Sequence, residues 1–151
     1  MIKRVVAGAS ALAALLAVAA VSQTPKSGSA EKPVANSKVA RGKYLVNNVG
    51  MCGDCHTPMG KNGQPVKAQY LQGTPLPFKP TVPIPGFMAV APGIAGLPGW
   101  TDEQGIEFFT TGKKPDGSLA APPMPQFRLN KADAAAVTAY LKSLGSDTSG
   151  K

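Results

Sequence analysis

The sequence contains few cysteines, histidines and acidic residues. Its 151 residues include two Cys, one His and eight Asp and Glu side chains, against 16 Lys and Arg. Three Cys and His side chains are too few for a closed structural zinc site, which takes about four nitrogen or sulfur ligands. The sequence shows no internal repeat, and no alternation of strand and helix of the kind that surrounds a redox dithiol. Its length suits one compact domain better than two.

The basic excess is spread along the chain. The formal net charge is +8, and removal of Lys3 and Arg4 would leave +6. After Lys3 and Arg4 the cations occur singly apart from the pair Lys113 and Lys114, so no basic run marks a nucleic-acid site. We therefore expect no nucleic-acid partner. The charge either keeps the protein soluble or guides it towards acidic docking surfaces on protein partners.

The amino-terminal segment has the pattern of an export signal. Lys3 and Arg4 precede an uncharged run of apolar and small residues from Val5 to Val21. As a helix this run would be about 25 Å long, shorter than the roughly 30 Å hydrocarbon core. Small residues before Ser22 provide a cleavage site. We predict a cleaved signal peptide over residues 1–22 and a periplasmic mature protein; an uncleaved segment would instead anchor it to the cytoplasmic membrane.

The remaining chain divides into a polar leader, one folded domain and a short tail. Residues 23–36 are rich in Ser, Lys, Pro and Ala without apolar periodicity, so they are predicted to be a flexible leader. The folded domain is predicted over residues 37–145, followed by a flexible tail over residues 146–151. Ser37 is expected to cap a first helix with apolar positions at i, i+3, i+4 and i+7: Gly42, Leu45, Val46 and Val49.

Two later segments also carry helical signals. Thr101 and Gln104 have the spacing of a capping box, and the helix that they begin should end near Gly112. Asn130 and Asp133 bracket the first turn of a last helix, which should end at Gly145 with one apolar face: Val137, Tyr140, Leu141 and Leu144. These signals predict an all-α fold of about three to four helices.

A long segment between the predicted helices is dominated by proline and glycine. Pro58 to Gly99 contains nine prolines and seven glycines, which prevents long helices and supports no regular strand. A structureless loop of this length is unusual in a compact domain unless something fixes it. A large rigid prosthetic group would supply the missing core.

Both cysteines and the only histidine fall within five consecutive positions. Cys52, Cys55 and His56 form the pattern C-x-x-C-H, which is typical of covalent haem attachment. Two thiols three residues apart can each form a thioether with a porphyrin vinyl group, and the adjoining imidazole can bind the iron. A plain disulfide is the alternative in an exported protein, but it leaves the adjoining histidine unexplained.

A sixth iron ligand must come from another residue type, because the chain has no second histidine. Methionine is the usual alternative. Met1 leaves with the signal peptide, while Met51 and Met59 lie too near the attachment site to reach the other side of the ring. Met124 lies in a proline-stiffened loop, which presents a ligand at low entropic cost, and is the predicted ligand. Met88 is the alternative methionine, otherwise expected as core filler, and the remaining possibilities are lysine, water or an open position.

Two stretches resemble class I-type cytochromes c. The run "ARGKYLVNNVGMCGDCHTP" is similar to their first helix and attachment site, and "PPMPQFRLNKADAAAVTAYLKSL" to their methionine loop and closing helix. The combination is especially similar to cytochrome c subunits of bacterial periplasmic or membrane-bound dehydrogenases. The resemblance implies a cytochrome c fold around one covalently bound haem c, with these residues at the site: Cys52, Cys55, His56 and Met124.

The same resemblance implies a close crossing of the first and last helices near Gly42 and Tyr140. It leaves the carbonyl that accepts the Nδ1 hydrogen bond of His56 unspecified, and we expect Pro65. The implied function is that of an electron carrier and not an enzyme, passing single electrons between a dehydrogenase and a respiratory acceptor. The alternative is a haem c protein with an open iron site that acts on peroxide or senses a gas. A two-haem peroxidase would need a second C-x-x-C-H, which the sequence lacks.

Overall fold

Four α-helices carry most of the regular structure. The computed structural model describes the backbone of residues 34–146 and the side chains of residues 37–145. The predicted signal peptide, the leader up to residue 33 and the tail after residue 146 lie outside the described residues. The helices are α1 (Val34–Tyr44), α2 (Gly53–His56), α3 (Asp102–Thr111) and α4 (Lys131–Ser146). This helix content agrees with the predicted all-α class.

The Pro/Gly-rich segment contains one short strand pair, which the sequence did not predict. Strand β1 (Thr74–Pro75) pairs antiparallel with β2 (Val90–Ala91), and a single 3₁₀ turn covers Lys67–Gln69. Each strand has only two residues, so neither leaves the alternating pattern that identifies a strand in a sequence. Within residues 34–146, none of the helices is long and apolar enough to cross a membrane.

Helix α1 differs from its predicted form at both ends. It begins at Val34, so Ser37 lies in its first turn and is not the N-cap. A π-helical turn over Leu45–Val49 continues the helix. Its wider winding buries Leu45 but leaves Val49, predicted on the same face, more than half exposed.

Helices α1 and α4 cross closely at Gly42, as the resemblance implied. A Cβ atom on Gly42 would overlap the carbonyl oxygen of Ala136 and lie 2.7 Å from the Cβ of Tyr140. At the side of this crossing, Nε of Arg41 lies 2.9 Å from Oδ1 of Asp133. The pair ties α1 to the first turn of α4, and the absent side chain of Gly42 permits the helices to approach.

The capping box of α3 is confirmed. The Thr101 hydroxyl accepts a hydrogen bond from the Gln104 backbone N–H at 3.2 Å, and the Gln104 side chain accepts one from the Thr101 N–H at 2.9 Å. Gly112 ends the helix with a φ of 78°, the left-handed conformation that glycine adopts without strain. Helix α3 packs on α4 where Gly105 meets Thr138.

Helix α4 begins as predicted but extends past its predicted end. Oδ1 of Asn130 accepts a hydrogen bond from the Asp133 N–H at 2.9 Å, while the helix continues through Gly145 to Ser146. A Cβ atom on Gly145 would lie 2.7 Å from the Cα of Gly96. Gly145 therefore permits a close backbone approach and does not terminate the helix.

Candidate functional site

A cavity of about 320 Å³ collects residues from the C-x-x-C-H motif, the Pro/Gly-rich segment, α3 and the methionine loop. His56 and Cys55 line it together with both methionines that sequence analysis retained, Met88 and Met124. The rest of the wall is mainly apolar: Leu76, Val90, Leu97, Trp100 and Phe108 are examples. The fold thus brings the motif and the candidate distal ligands to one space, although more than 30 residues of sequence separate them.

His56 is buried with its ring oriented by one hydrogen bond. The residue is 5% exposed, and its Nδ1 lies 2.7 Å from the carbonyl oxygen of Pro92. Because a carbonyl only accepts, Nδ1 carries the proton, which leaves the lone pair on Nε2 for a metal. The expectation that Pro65 supplies this carbonyl is wrong. Pro65 instead forms an isolated β-bridge with Met59, a residue only six positions earlier in the sequence. Pro65 therefore belongs to a local turn directly after the motif.

Backbone contacts between two loop segments hold the Pro92 carbonyl in place. Gly73 donates its N–H to the carbonyl of His56 at 2.8 Å, and its φ is 88°. A Cβ atom on Gly73 would lie 2.6 Å from the nitrogen of Gly93, so the two glycines stand back to back. The Leu71 carbonyl accepts from the Ile94 N–H at 2.8 Å. These contacts fix the peptide that faces the histidine ring.

Thr57, directly after His56, also bonds to the loop segment that contacts Pro92 and Gly93. Its buried hydroxyl accepts a hydrogen bond from the Leu71 N–H at 3.0 Å. Sequence analysis singled out neither Thr57 nor Pro92. The only available signal was the proline and glycine content of the segment, which does not say which carbonyl returns to the histidine.

The two cysteines are not joined to each other and face different spaces. Cys55 lines the main cavity, whereas Cys52 lines a smaller one of about 30 Å³ beside Phe109 and Phe127. Burial raises the pKa of Cys52 to about 11, and its neighbours Cys55 and Asp54 act in the same direction. The group is therefore a neutral thiol at pH 7, whereas a reactive dithiol needs a depressed pKa.

The four methionines among the described residues separate into two pairs. Met51 and Met59 are about half exposed and do not line the cavity, while Met88 and Met124 do. Met88 donates its N–H to the carbonyl of Pro122 at 2.7 Å, so its segment is bonded directly to the methionine loop. Met88 is 52% exposed and so is not the core filler that was expected. The choice of Met124 as ligand stays a prediction.

The residues around this cavity fit a haem. The cavity is lined by the Cys55 thiol, one imidazole with an available Nε2, thioether sulfur atoms and apolar side chains, and Cys52 lies three positions before Cys55 in the motif. The helical fold and this donor set are those of a small haem-binding protein.

Comparison with known proteins specifies the family. Residues 39–145 match the family model of cytochrome c. The chain belongs to the cytochrome c family, and this membership identifies it as a haem-containing electron-transfer protein.

Several relatives are cytochrome subunits of dehydrogenases. The chain is 35% identical over 88 residues to the cytochrome c subunit of the quinone alcohol dehydrogenase of Gluconobacter oxydans, covering 55% of this chain and 18% of the relative. It is 30% identical over 114 residues to the fructose dehydrogenase cytochrome subunit of Gluconobacter japonicus, covering 69% and 21%. A third relative, the diheme cytochrome c-type of Cereibacter sphaeroides, is 32% identical over 108 residues, covering 68% and 34%. The matched part of this chain thus spans about a fifth to a third of these relatives.

Proposed function

We propose that the protein is a periplasmic one-electron carrier with a single haem c. Cys52 and Cys55 would form the two thioether links, and His56 and Met124 would be the axial ligands. The observation that carries the proposal is the His56 ring, which lines an apolar cavity with Nδ1 committed to the Pro92 carbonyl. A single C-x-x-C-H in the sequence supports one haem per chain.

The chain's own residues would orient the ligand and exclude water. When bound, the haem supplies an iron that alternates between the ferric and ferrous states. The hydrogen bond to Pro92 fixes the His56 tautomer and raises the basicity of its ligating nitrogen. Apolar side chains such as Leu97 and Phe108 keep the cavity dry, which disfavours the more highly charged state and raises the potential.

Support for a carrier comes from the two side chains, His56 and Met124, that would hold the iron of the haem. With an imidazole and a thioether both bound, no position remains for oxygen or peroxide, and few atoms move when the charge changes. The relatives named as dehydrogenase subunits support a dehydrogenase as electron donor. We propose a respiratory protein as the acceptor, and an amino-terminal signal peptide that directs the mature chain to the periplasm.

Substitution of the two cavity methionines tests the axial ligand. In the ferric holoprotein, Met124→Ala should remove the sulfur-to-iron charge-transfer band and lower the reduction potential, because a soft thioether ligand raises the potential. Met88→Ala is the matched control, since Met88 lines the same cavity, and it should keep the band. Loss of the band in Met88→Ala and its retention in Met124→Ala would overturn the assignment.

The alternative with an open iron site makes a different prediction. An iron without a sixth protein ligand binds carbon monoxide rapidly in the reduced state at neutral pH. The proposed His56 and Met124 ligation predicts a reduced spectrum that carbon monoxide leaves largely unchanged. A rapid and complete spectral change would favour peroxide chemistry or gas sensing over electron transfer.

A further inference from the structure

The two β-strands enclose a loop that closes on itself beside the cavity. We call residues 76–89 the proline lobe. At its base the Leu76 N–H donates to the Ala89 carbonyl at 2.9 Å. Further out, the rings of Phe78 and Phe87 contact each other at a centroid distance of 6.3 Å, and the Phe87 N–H donates to the Ile84 carbonyl at 3.1 Å. The lobe is therefore an extension of the β1–β2 pair that is closed at its base and bonded to the methionine loop through Met88.

The proline lobe exposes large apolar side chains that the cavity does not use. Phe78 is 46% exposed, Val82 64% and Ile84 41%. None of the three lines the cavity, so a group bound there does not account for their exposure. A cluster of exposed apolar side chains on a small protein is typical of an interaction surface.

The stretch of sequence that contains the lobe lacks negative charge. No Asp or Glu occurs between residues 55 and 101, a stretch that includes Lys61, Lys67 and Lys79. Within the described residues, the four ion pairs involve other cations: Arg41, Lys113, Lys114 and Lys142. The lobe itself thus combines exposed apolar side chains with the exposed Lys79 and contains no carboxylate, which is complementary to an apolar patch rimmed by carboxylates.

The lobe also lies next to the place where electrons would enter or leave. Leu76 at its start and Met88 near its end line the cavity, as does Val90 directly after it. A protein seated on the lobe would therefore stand beside the proposed haem. Electron transfer between two proteins requires such proximity of the partner to the haem. This position of the lobe therefore favours a redox protein over a lipid surface as its partner.

The backbone of the lobe is suited to repeated association. It carries four prolines, at positions 77, 80, 83 and 85, each of which fixes one backbone dihedral. A surface that is already restrained loses less conformational entropy when a partner binds. We propose that the proline lobe is the docking surface for a redox protein whose contact area has an apolar centre and an acidic rim. This proposal rests on the proposed electron-carrier function.

Stopped-flow kinetics on the haem-loaded protein tests the proposal. The probe is reduced flavodoxin, an acidic one-electron donor, used at low salt. We expect the double variant Val82→Ser/Ile84→Ser and the single variant Lys79→Glu each to lower the second-order rate constant about fivefold or more. The matched controls are Leu119→Ser, which removes a half-exposed apolar side chain outside the lobe, and Lys38→Glu on α1. Both should stay within about twofold of the parent.

Three further measurements separate docking from other effects. The rate with a neutral small hydroquinone, the visible spectrum and the reduction potential should be the same in all variants, since none of the substituted side chains lines the cavity. Equal flavodoxin rates in lobe and control variants would overturn the docking proposal while leaving the electron-carrier function intact. Failure of the parent protein to hold haem would instead overturn that function. Sedimentation with phosphatidylglycerol vesicles tests whether the lobe binds a membrane instead of a protein. Vesicle binding that the lobe variants lose, together with flavodoxin rates that they keep, would identify the lobe as a membrane-binding surface and overturn the docking proposal.

Discussion

Replacement of Gly73 by alanine should disturb the histidine ligand from a distance. Gly73 has a φ of 88°, and a new Cβ atom would lie 2.6 Å from the Gly93 nitrogen and 2.8 Å from the Pro92 carbonyl carbon. Both atoms belong to the peptide whose oxygen accepts the hydrogen bond from His56. A backbone atom cannot rotate away as a flexible side chain can, so this peptide must move.

The size of the movement follows from the distances. An ordinary contact with a Cβ atom begins at 3.4 Å, so the Pro92–Gly93 peptide must recede by about 0.8 Å. A shift of this size is comparable to the margin between the present 2.7 Å and the upper limit of a hydrogen bond, so the bond from Nδ1 to the carbonyl oxygen should be weakened or lost. The loss makes Nε2 less basic, which weakens its bond to ferric iron more than to ferrous iron. We expect the potential to rise on the order of 50 mV, since a tenfold change in relative affinity is about 59 mV for one electron.

Gly63→Ala provides the matched control. Gly63 has a φ of 72°, but a Cβ atom there would meet no heavy atom within 4 Å. Both variants therefore place alanine in the left-handed region at a similar backbone cost, while only Gly73→Ala displaces Pro92. A spectroelectrochemical titration of the two haem-loaded proteins measures the effect. Equal potentials in the two variants, or a fall in Gly73→Ala, would refute the proposed coupling through the Pro92 carbonyl.

Two further predictions concern helix packing and charge. Gly105→Ala places a Cβ atom 2.6 Å from Cγ2 of Thr138, so overpacking of about 1–3 kcal/mol should exceed the helix-propensity gain of about 1 kcal/mol. Urea titration should show the loss reversed when Thr138→Ala is added, and an equal loss in both backgrounds would contradict the contact. The Arg41 guanidinium holds the pKa of Asp133 below its ordinary value, chiefly through their hydrogen bond. Asp133→Asn should therefore lower the free energy of unfolding above pH ~4, with the difference shrinking as pH falls through the depressed pKa; a difference independent of pH would contradict this.

Signals that the sequence carries locally were the ones that led to correct predictions. The capping box at Thr101 and Gln104, and the Asn130 cap of α4, depend on residues three positions apart. The C-x-x-C-H motif is likewise local, and the covalent haem attachment that it indicates stays a prediction. Even the crossing at Gly42 was expected, although that came from resemblance to a family and not from spacing.

The features that were missed depend on contacts between distant residues. His56 and Pro92 are 36 positions apart, and nothing in the intervening residues distinguishes the Pro92 carbonyl from that of Pro65. The end of α4 was misplaced because Gly145 serves a contact with Gly96, a role that a sequence does not separate from helix termination. The π-helical turn after α1 similarly shifts Val49 away from its expected face without changing the apolar pattern.

The central claim is one covalently bound haem in each chain. Intact-mass analysis of protein produced in a host with c-type haem maturation machinery tests it most directly. The account predicts that, after denaturation without reductant, the chain retains the added mass of one haem, and that Cys52→Ser/Cys55→Ser does not. A wild-type chain recovered at its haem-free mass, or carrying haem that denaturation releases, would contradict it.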